Sequence, residues 1–246
     1  MNAPRADHLR PDAPDDGIAR ESRGAVFGRR KGHKLRARQA SLIENLLPQL
    51  ALDIQAAAPA DLARLFAPRR QEVRLEIGFG GGEHLIAQAQ NAPEIGFIGC
   101  EPYVNGMAKI LAQIEARNIN NIRLFAGDAI ALLAWLPPQS LSGIDLIYPD
   151  PWPKRRHWKR RFVQDAAIAA MARVLKPRAE FRFVSDIPDY CAWTLRHLSR
   201  SSDFVWLAEQ ADDWRLPWQG YTLTRYGQKA AREGRTAAYL RFQRLA

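Results

Sequence analysis

Val73–Glu101 reads VRLEIGFGGGEHLIAQAQNAPEIGFIGCE. Val73 to Ile77 predicts a strand, Gly78-Phe79-Gly80-Gly81-Gly82 a turn, and Glu83 to Asn91 a helix that turns Leu85, Ile86 and Ala89 inward. Phe97 to Cys100 is a second strand, closed by Glu101. A strand, a helix and a second strand in this order make a parallel pair with a helical crossover.

The same alternation continues downstream. Helices are expected over 104–117, 129–136, 162–175 and 190–198, and strands over 122–126, 144–148 and 180–184. Phe204 to Leu207 and Ala238 to Phe242 read as two last strands joined by a long polar loop. The fold class is therefore α/β: a mostly parallel sheet with helices on both faces. Upstream, Leu42, Ile43, Leu46, Leu47 and Leu50 share a helical face, and Pro48 predicts a kink or stop within it. A short helix is expected around Asp61 to Phe66. Residues 1–25 lack any hydrophobic period and read as a disordered tail. Residues 26–40 form a basic arm, and 41–246 the main domain.

Net charge is +10, and it is concentrated. Arg29 to Arg38 holds six Lys or Arg and Lys154 to Arg161 six more, so the rest of the chain sums to −2. Two such patches point to a polyanionic partner. No apolar run approaches a membrane span, and the N-terminal stretch lacks an apolar signal-peptide segment, so secretion is not expected. Cys100 and Cys191 lie far apart with no His-rich spacing, which reads as two reduced structural thiols in a cytoplasmic protein without a metal.

In a sheet of this kind ligands sit beyond the carboxyl ends of the strands. Acids mark five consecutive strand ends: Glu76, Glu101, Asp128, Asp150 and Asp186. A lone acid there is usually a surface group or a helix cap; five in register form a set. Gly78 and Gly80 let the backbone approach a ligand, and Glu101 is spaced to accept both hydroxyls of an adenosine ribose. That much fits a dinucleotide or S-adenosylmethionine. Three details favour S-adenosylmethionine. The loop is G-x-G-G-G rather than G-x-G-x-x-G, Glu76 suits an ammonium better than a phosphate, and Gly127-Asp128 can present a carboxylate to an adenine amine with the Ala129 N–H facing the ring.

Asp145 to Arg161 reads DLIYPDPWPKRRHWKRR. The prolines around Asp150 impose a rigid turn at the end of a buried strand, and a block of cations follows. A pinned carboxylate, an indole and cations together suit a nucleic-acid base and its phosphates.

LEIGFGGGEHL, GCEPY, GDA, PDPWPKRRHWKRR and VSD resemble the bacterial tRNA (guanine-N7)-methyltransferase family, over roughly residues 26–244. The resemblance implies a class I S-adenosylmethionine-dependent methyltransferase fold, Rossmann-like, with seven strands and an antiparallel last strand. It implies methylation of N7 of the variable-loop guanine at position 46 of tRNA. Glu76, Gly78, Gly80, Glu101, Asp128, Ala129 and Asp150 are then expected at the cofactor, with Asp150 also catalytic. Lys154, Asp186, Thr224, Arg225 and Tyr226 are expected at the substrate. Arg29, Arg30, Lys31, Arg155, Arg156, His157, Lys159, Arg160 and Arg161 are expected to contact tRNA phosphates. The family usually has Glu where this chain has Gly227.

Guanine N7 carries a lone pair and no proton, so its attack on a sulfonium methyl needs no general base. Asp150, assisted by Asp186, is expected to accept hydrogen bonds from the guanine N1–H and N2 amine. Competing readings explain less. A nicotinamide oxidoreductase leaves the basic patches and the PDPWPK turn without a role, and a non-catalytic RNA-binding protein leaves the strand-end acids without one. An adenine amino-methylating enzyme would place two prolines side by side, unlike Pro149-Asp150-Pro151-Trp152.

Overall fold

The computed structural model describes residues 32–246. The helix read over 42–50 is two: α1 (Ala37–Asn45) and α2 (Leu47–Leu50), with Pro48 in the first turn of the second, where its missing N–H costs nothing. Asp61 caps a 3-10 turn over Leu62–Leu65. The main body then runs β1 (Glu72–Ile77), α3 (Glu83–Asn91), β2 (Ile95–Cys100), α4 (Val104–Arg117), β3 (Ile122–Phe125), α5 (Ala129–Trp135) and β4 (Leu141–Ile147). After a second 3-10 turn, Arg155–Arg160, come α6 (Asp165–Val174), β5 (Leu175–Ser185), α7 (Pro188–Leu198), β6 (Phe204–Trp206), α8 (Asp212–Arg215), α9 (Arg225–Arg232) and β7 (Ala238–Arg244).

The seven strands lie in the order β3-β2-β1-β4-β5-β7-β6. β1 to β5 pair in parallel, and β7 runs antiparallel to both its neighbours, so the last strand alone is reversed. The order turns back between β1 and β4, and the crevice at that switch point is where ligands enter such sheets.

Two apolar cores flank the sheet. One gathers α5, α6 and α7 with Val73, Leu75, Ile144, Leu146, Phe181 and Phe183; the other gathers α1, α3 and α4 with Phe97, Ile122 and Leu124. β1 and β4 alternate. Val73, Leu75, Ile77, Leu141, Ile144 and Leu146 fill the first core, while Arg74, Glu76 and Asp145 turn to the opposite face. A parallel strand covered on both sides is ordinarily apolar throughout, so this polar stripe marks a special region.

Two expectations change. The stretch between β6 and β7 is not a plain loop but carries α8 and α9. β5 begins at Leu175 rather than 180, with a register irregularity opposite Leu141–Gly143 that accommodates Pro177.

Candidate active site at the carboxyl ends of the strands

The glycine loop leaves β1 with Gly78, Gly80 and Gly82 all at positive φ, a conformation that favours glycine. A Cβ on Gly78 would meet nothing within 4 Å, so the space over the loop is open. The loop is held from the side of α4. The Gly80 N–H donates to Glu101 Oε2 at 2.7 Å, the Tyr103 N–H to Glu101 Oε1 at 3.0 Å, and Gln113 Nε2 to the Gly81 carbonyl at 3.1 Å. Gly106 admits the close approach of α4: a Cβ there would stand 2.3 Å from the Gly80 carbonyl oxygen. Glu101 is thus fixed by two backbone donors with a lone pair left on each oxygen. Burial raises its carboxyl, and the two donors oppose that.

Asp128 caps α5, accepting from the Ile130 N–H at 3.0 Å through one oxygen. Ala129 is buried in the first turn behind it. Glu76 is 4% exposed, and its Oε2 meets His84 Nδ1 at 2.8 Å; burial raises its carboxyl, and His84 opposes the shift.

At the end of β4, Tyr148 and Trp152 bracket Asp150 with φ of 51° and 43°. Two non-glycine residues in the left-handed region on either side of one acid store strain of the kind concentrated at functional sites. Asp150 is exposed and accepts no hydrogen bond from the described residues, yet the protein around it partly desolvates its carboxyl and raises it. It lies near enough to Glu101 for the two charges to repel. Trp152 is partly buried under the turn, with the Arg160 guanidinium 4.9 Å from its ring centre and His157 edge-on.

Thr224 caps α9, its hydroxyl accepting from the Gly227 N–H at 3.3 Å, and the helix then lays Arg225 and Tyr226 over the glycine loop. A Cβ on Gly80 would stand 3.5 Å from Tyr226 and 3.7 Å from Arg225. Arg225 faces Glu83 at 3.8 Å. Asp186 is held by Arg235 at 2.5 Å. Where the family's Glu would stand, Gly227 is buried; Leu223 and the Tyr148 hydroxyl would lie 2.6 and 2.9 Å from a Cβ there.

Residues 70–240 match a family profile described as "Putative methyltransferase". The tRNA (guanine-N(7)-)-methyltransferase of Bradyrhizobium diazoefficiens is 75% identical over 91% of this chain and 95% of its own length. Proteins of the same name from Rhodopseudomonas palustris strain BisB18 and Nitrobacter hamburgensis are 69% and 65% identical, over 96% and 99% of this chain and 95% and 97% of their own. The chain belongs to the tRNA (guanine-N(7)-)-methyltransferase family. A crystal structure of the 16S rRNA methyltransferase KamB, 16% identical, superposes with a TM-score of 0.52 over 78% of this chain and 96% of that one, in keeping with a class I methyltransferase fold.

In this family member the basic run after the PDPWPK turn divides. Lys154, Arg155, Arg156 and Lys159 are exposed, and His157 and Arg160 partly so. Arg161 is a correction to the expected phosphate contacts. It is 1% exposed, donates from Nε to the Pro151 carbonyl at 2.8 Å, pairs with Asp189, and lies 4.9 to 5.1 Å from the ring centres of Trp158, Tyr190 and Trp193. It holds the turn against α7 and is closed to RNA. Arg29, Arg30 and Lys31 lie outside the described residues. The end of the arm is fastened to α4. The Gly32 N–H donates to Asn105 Oδ1 and Asn105 Nδ2 donates to the His33 carbonyl, each at 2.8 Å, and Arg38 pairs with Glu115 at 2.7 Å.

The sequence reading missed His84, Arg235, Tyr148 and Tyr221. For His84 there was a signal: a polar side chain two residues after the glycine loop, beside the inward Leu85 and Ile86. For Arg235 and Tyr221 there was none, since each reaches the site from a segment without periodicity.

Proposed function

We propose that this chain transfers the methyl group of S-adenosylmethionine to N7 of the variable-loop guanine at position 46 of tRNA. The observation that carries the proposal is identity of 65–75% over nearly the whole length to three proteins named tRNA (guanine-N(7)-)-methyltransferase. The strand-end geometry supports it residue by residue.

The site residues fit the donor. The open space above Gly78 and the spare lone pairs of Glu101 suit a ribose held close to the backbone. Asp128 spends one oxygen on its cap and has the other for an adenine amine, beside the Ala129 N–H. Glu76 Oε1 accepts no hydrogen bond from the described residues and suits an ammonium. The donor supplies an electrophilic methyl on a sulfonium.

The chain's task is alignment, a contribution that reaches roughly 7–11 kcal/mol in well-oriented reactions. Asp150, unpaired and set at the rim of the donor site, takes the guanine N1–H and N2 amine and offsets the positive charge that grows on the purine. Asp186, held by Arg235, assists from the end of β5. Thr224 fixes the start of α9, and Arg225 and Tyr226 close the glycine loop toward the base. Lys154, Arg155, Arg156, His157, Lys159 and Arg160, with Arg29, Arg30 and Lys31 of the arm, contact phosphates. Residues 26–40 act as the basic arm and 41–246 as the catalytic domain. The working compartment is the cytoplasm, in keeping with two buried free thiols. No helix among the described residues is long and apolar enough to cross a membrane.

The test is direct. The purified protein is incubated with S-adenosylmethionine and unmodified tRNA, and the digested tRNA is examined for methylated nucleosides. 7-Methylguanosine from the variable loop is expected. A different methylated nucleoside overturns the base assignment, and tRNA binding without methylation overturns the enzyme reading.

A further inference from the structure

One row of side chains crosses the sheet on the face away from the larger core. Glu76, Asp145, Arg182 and Arg241 are register partners on β1, β4, β5 and β7. In parallel and antiparallel pairs alike, directly opposed residues point to the same face. Two acids therefore stand side by side beneath the donor site, followed by two cations.

Most of these charges are matched locally. Arg74 holds Asp145 at 3.1 Å, with both groups nearly buried, and keeps its carboxyl below the usual range. Glu180 takes Arg182 at 3.0 Å and Arg241 at 2.7 Å. Glu76 has His84 alone among the described residues. The two side chains are 4% and 1% exposed and meet at 2.8 Å through Oε2 and Nδ1. The tilted ring of Tyr221 lies over His84 with centres 5.7 Å apart, and the aromatic group of Trp218, Tyr221 and Tyr239 continues from it. His84 Nε2 is buried and has no hydrogen-bond partner among the described residues.

These facts set up a competition. With the donor absent, the cation paired with Glu76 among the described residues is a protonated His84, and Glu76 and Asp145 both favour that proton. Burial and Arg182 oppose it, and Glu83 adds another acid near Glu76 besides Asp145. The Nε2 proton has nothing to donate to, so it is held by charge alone. An ammonium arriving at Glu76 Oε1 would put two cations on one carboxylate in a site shielded from water. We propose that the donor's ammonium and the His84 proton exchange for the single charge of Glu76: His84 holds Oε2 through Nδ1–H throughout, and its Nε2 proton leaves to solvent as the ammonium takes Oε1. His84 is then a positioning residue for Glu76 that leaves donor binding coupled to loss of a proton. This rests on S-adenosylmethionine being the donor.

The experiment is calorimetric titration of the full chain with S-adenosylhomocysteine, which keeps the ammonium, in neutral buffers of low and high ionisation enthalpy. The binding enthalpy is expected to depend on the buffer, with release of a fraction of one proton per site. Methylthioadenosine, which lacks the ammonium, is expected to bind without that dependence. His84→Asn, which can still donate to Glu76 but cannot titrate, is expected to bind S-adenosylhomocysteine with a buffer-independent enthalpy. A buffer-independent enthalpy for the unaltered chain overturns the exchange, as does the same proton release from His84→Asn. Failure of S-adenosylhomocysteine to bind overturns the donor reading itself. If His84→Asn does not fold, the ¹⁵N shifts of the His84 ring in the unaltered chain decide. They are expected to pass from two protonated nitrogens to one on addition of S-adenosylhomocysteine, and no change overturns the proposal.

Discussion

Asp150 and Arg161 stand eleven positions apart on one turn and carry opposite lessons. Asp150 is an exposed acid that accepts no hydrogen bond from the described residues and is bracketed by two strained residues, an arrangement with little to offer stability. Under the proposed function its carboxylate meets the base, and charge is what it contributes. Asp150→Asn keeps the shape and loses the charge, so turnover in single-turnover methylation is expected to fall about 100-fold or more, as when one preorganised group facing developing charge is removed. The melting temperature should barely move. Near-normal turnover would remove Asp150 from the reaction centre. Arg161 is the reverse. In the sequence it is one of six cations in eight positions, and nothing in that run separates it from Arg155. What separates them is an approach by Trp158, Tyr190, Trp193 and Asp189 that forms only when α7 packs against the turn. Arg161→Ala should cost about 2–3 kcal/mol by emptying that aromatic box. For a chain of this size that is a fall of roughly 5–10 °C in melting temperature. Arg155→Ala should leave melting unchanged. Equal melting for both would return Arg161 to the surface.

At the scale of elements, legibility follows the apolar periods. The strand and helix run from β1 to β5 could be read because each helix buries a stripe and each strand an alternating or continuous apolar set. That same pattern is enough to locate the strand-end acids from the sequence. α9 could not be read this way. Its sequence, RYGQKAAR, buries only Gly227 and Ala230, so it has no stripe to detect. What starts it is one capping hydroxyl, Thr224, and what it achieves is to hang Arg225 and Tyr226 over the glycine loop. A helix of eight residues is marginal on its own and depends on such a cap. Thr224→Ala is therefore expected to cost about 1 kcal/mol, felt locally at α9. The sign to look for is faster amide hydrogen exchange over 225–232 with exchange in β1 to β5 unchanged, together with a KM for tRNA raised several-fold. Unaltered exchange in α9 would mean that packing against Tyr148 and Leu223, not the cap, holds the helix.

Over the whole molecule, charge is segregated in two ways. The row of Glu76, Asp145, Arg182 and Arg241 is paired, and it runs from two buried acids on β1 and β4 to a partly exposed Arg241 on β7. The excess positive charge lies outside, on the arm and on the turn after β4, and the arm's end is clasped to α4 by Asn105, on the helix that follows Glu101. Sequence could place the excess in two runs but not say which of those cations stay exposed, since that depends on α7 closing over Arg161. Under the proposed function, an RNA at the strand ends meets the exposed cations of the turn after β4. The binding energy of such an interface comes largely from released counterions, so each phosphate neutralised adds roughly 0.7–0.9 to the slope of log affinity against log salt. Arg155, Arg156 and Lys159 are exposed and have no part in the apolar cores. Replacing all three with Ala is expected to flatten the tRNA slope by roughly 2–3 while S-adenosylhomocysteine affinity and melting temperature hold. Weaker binding with an unchanged slope would mean that these residues act through the shape of the turn and that the phosphates lie elsewhere on the surface.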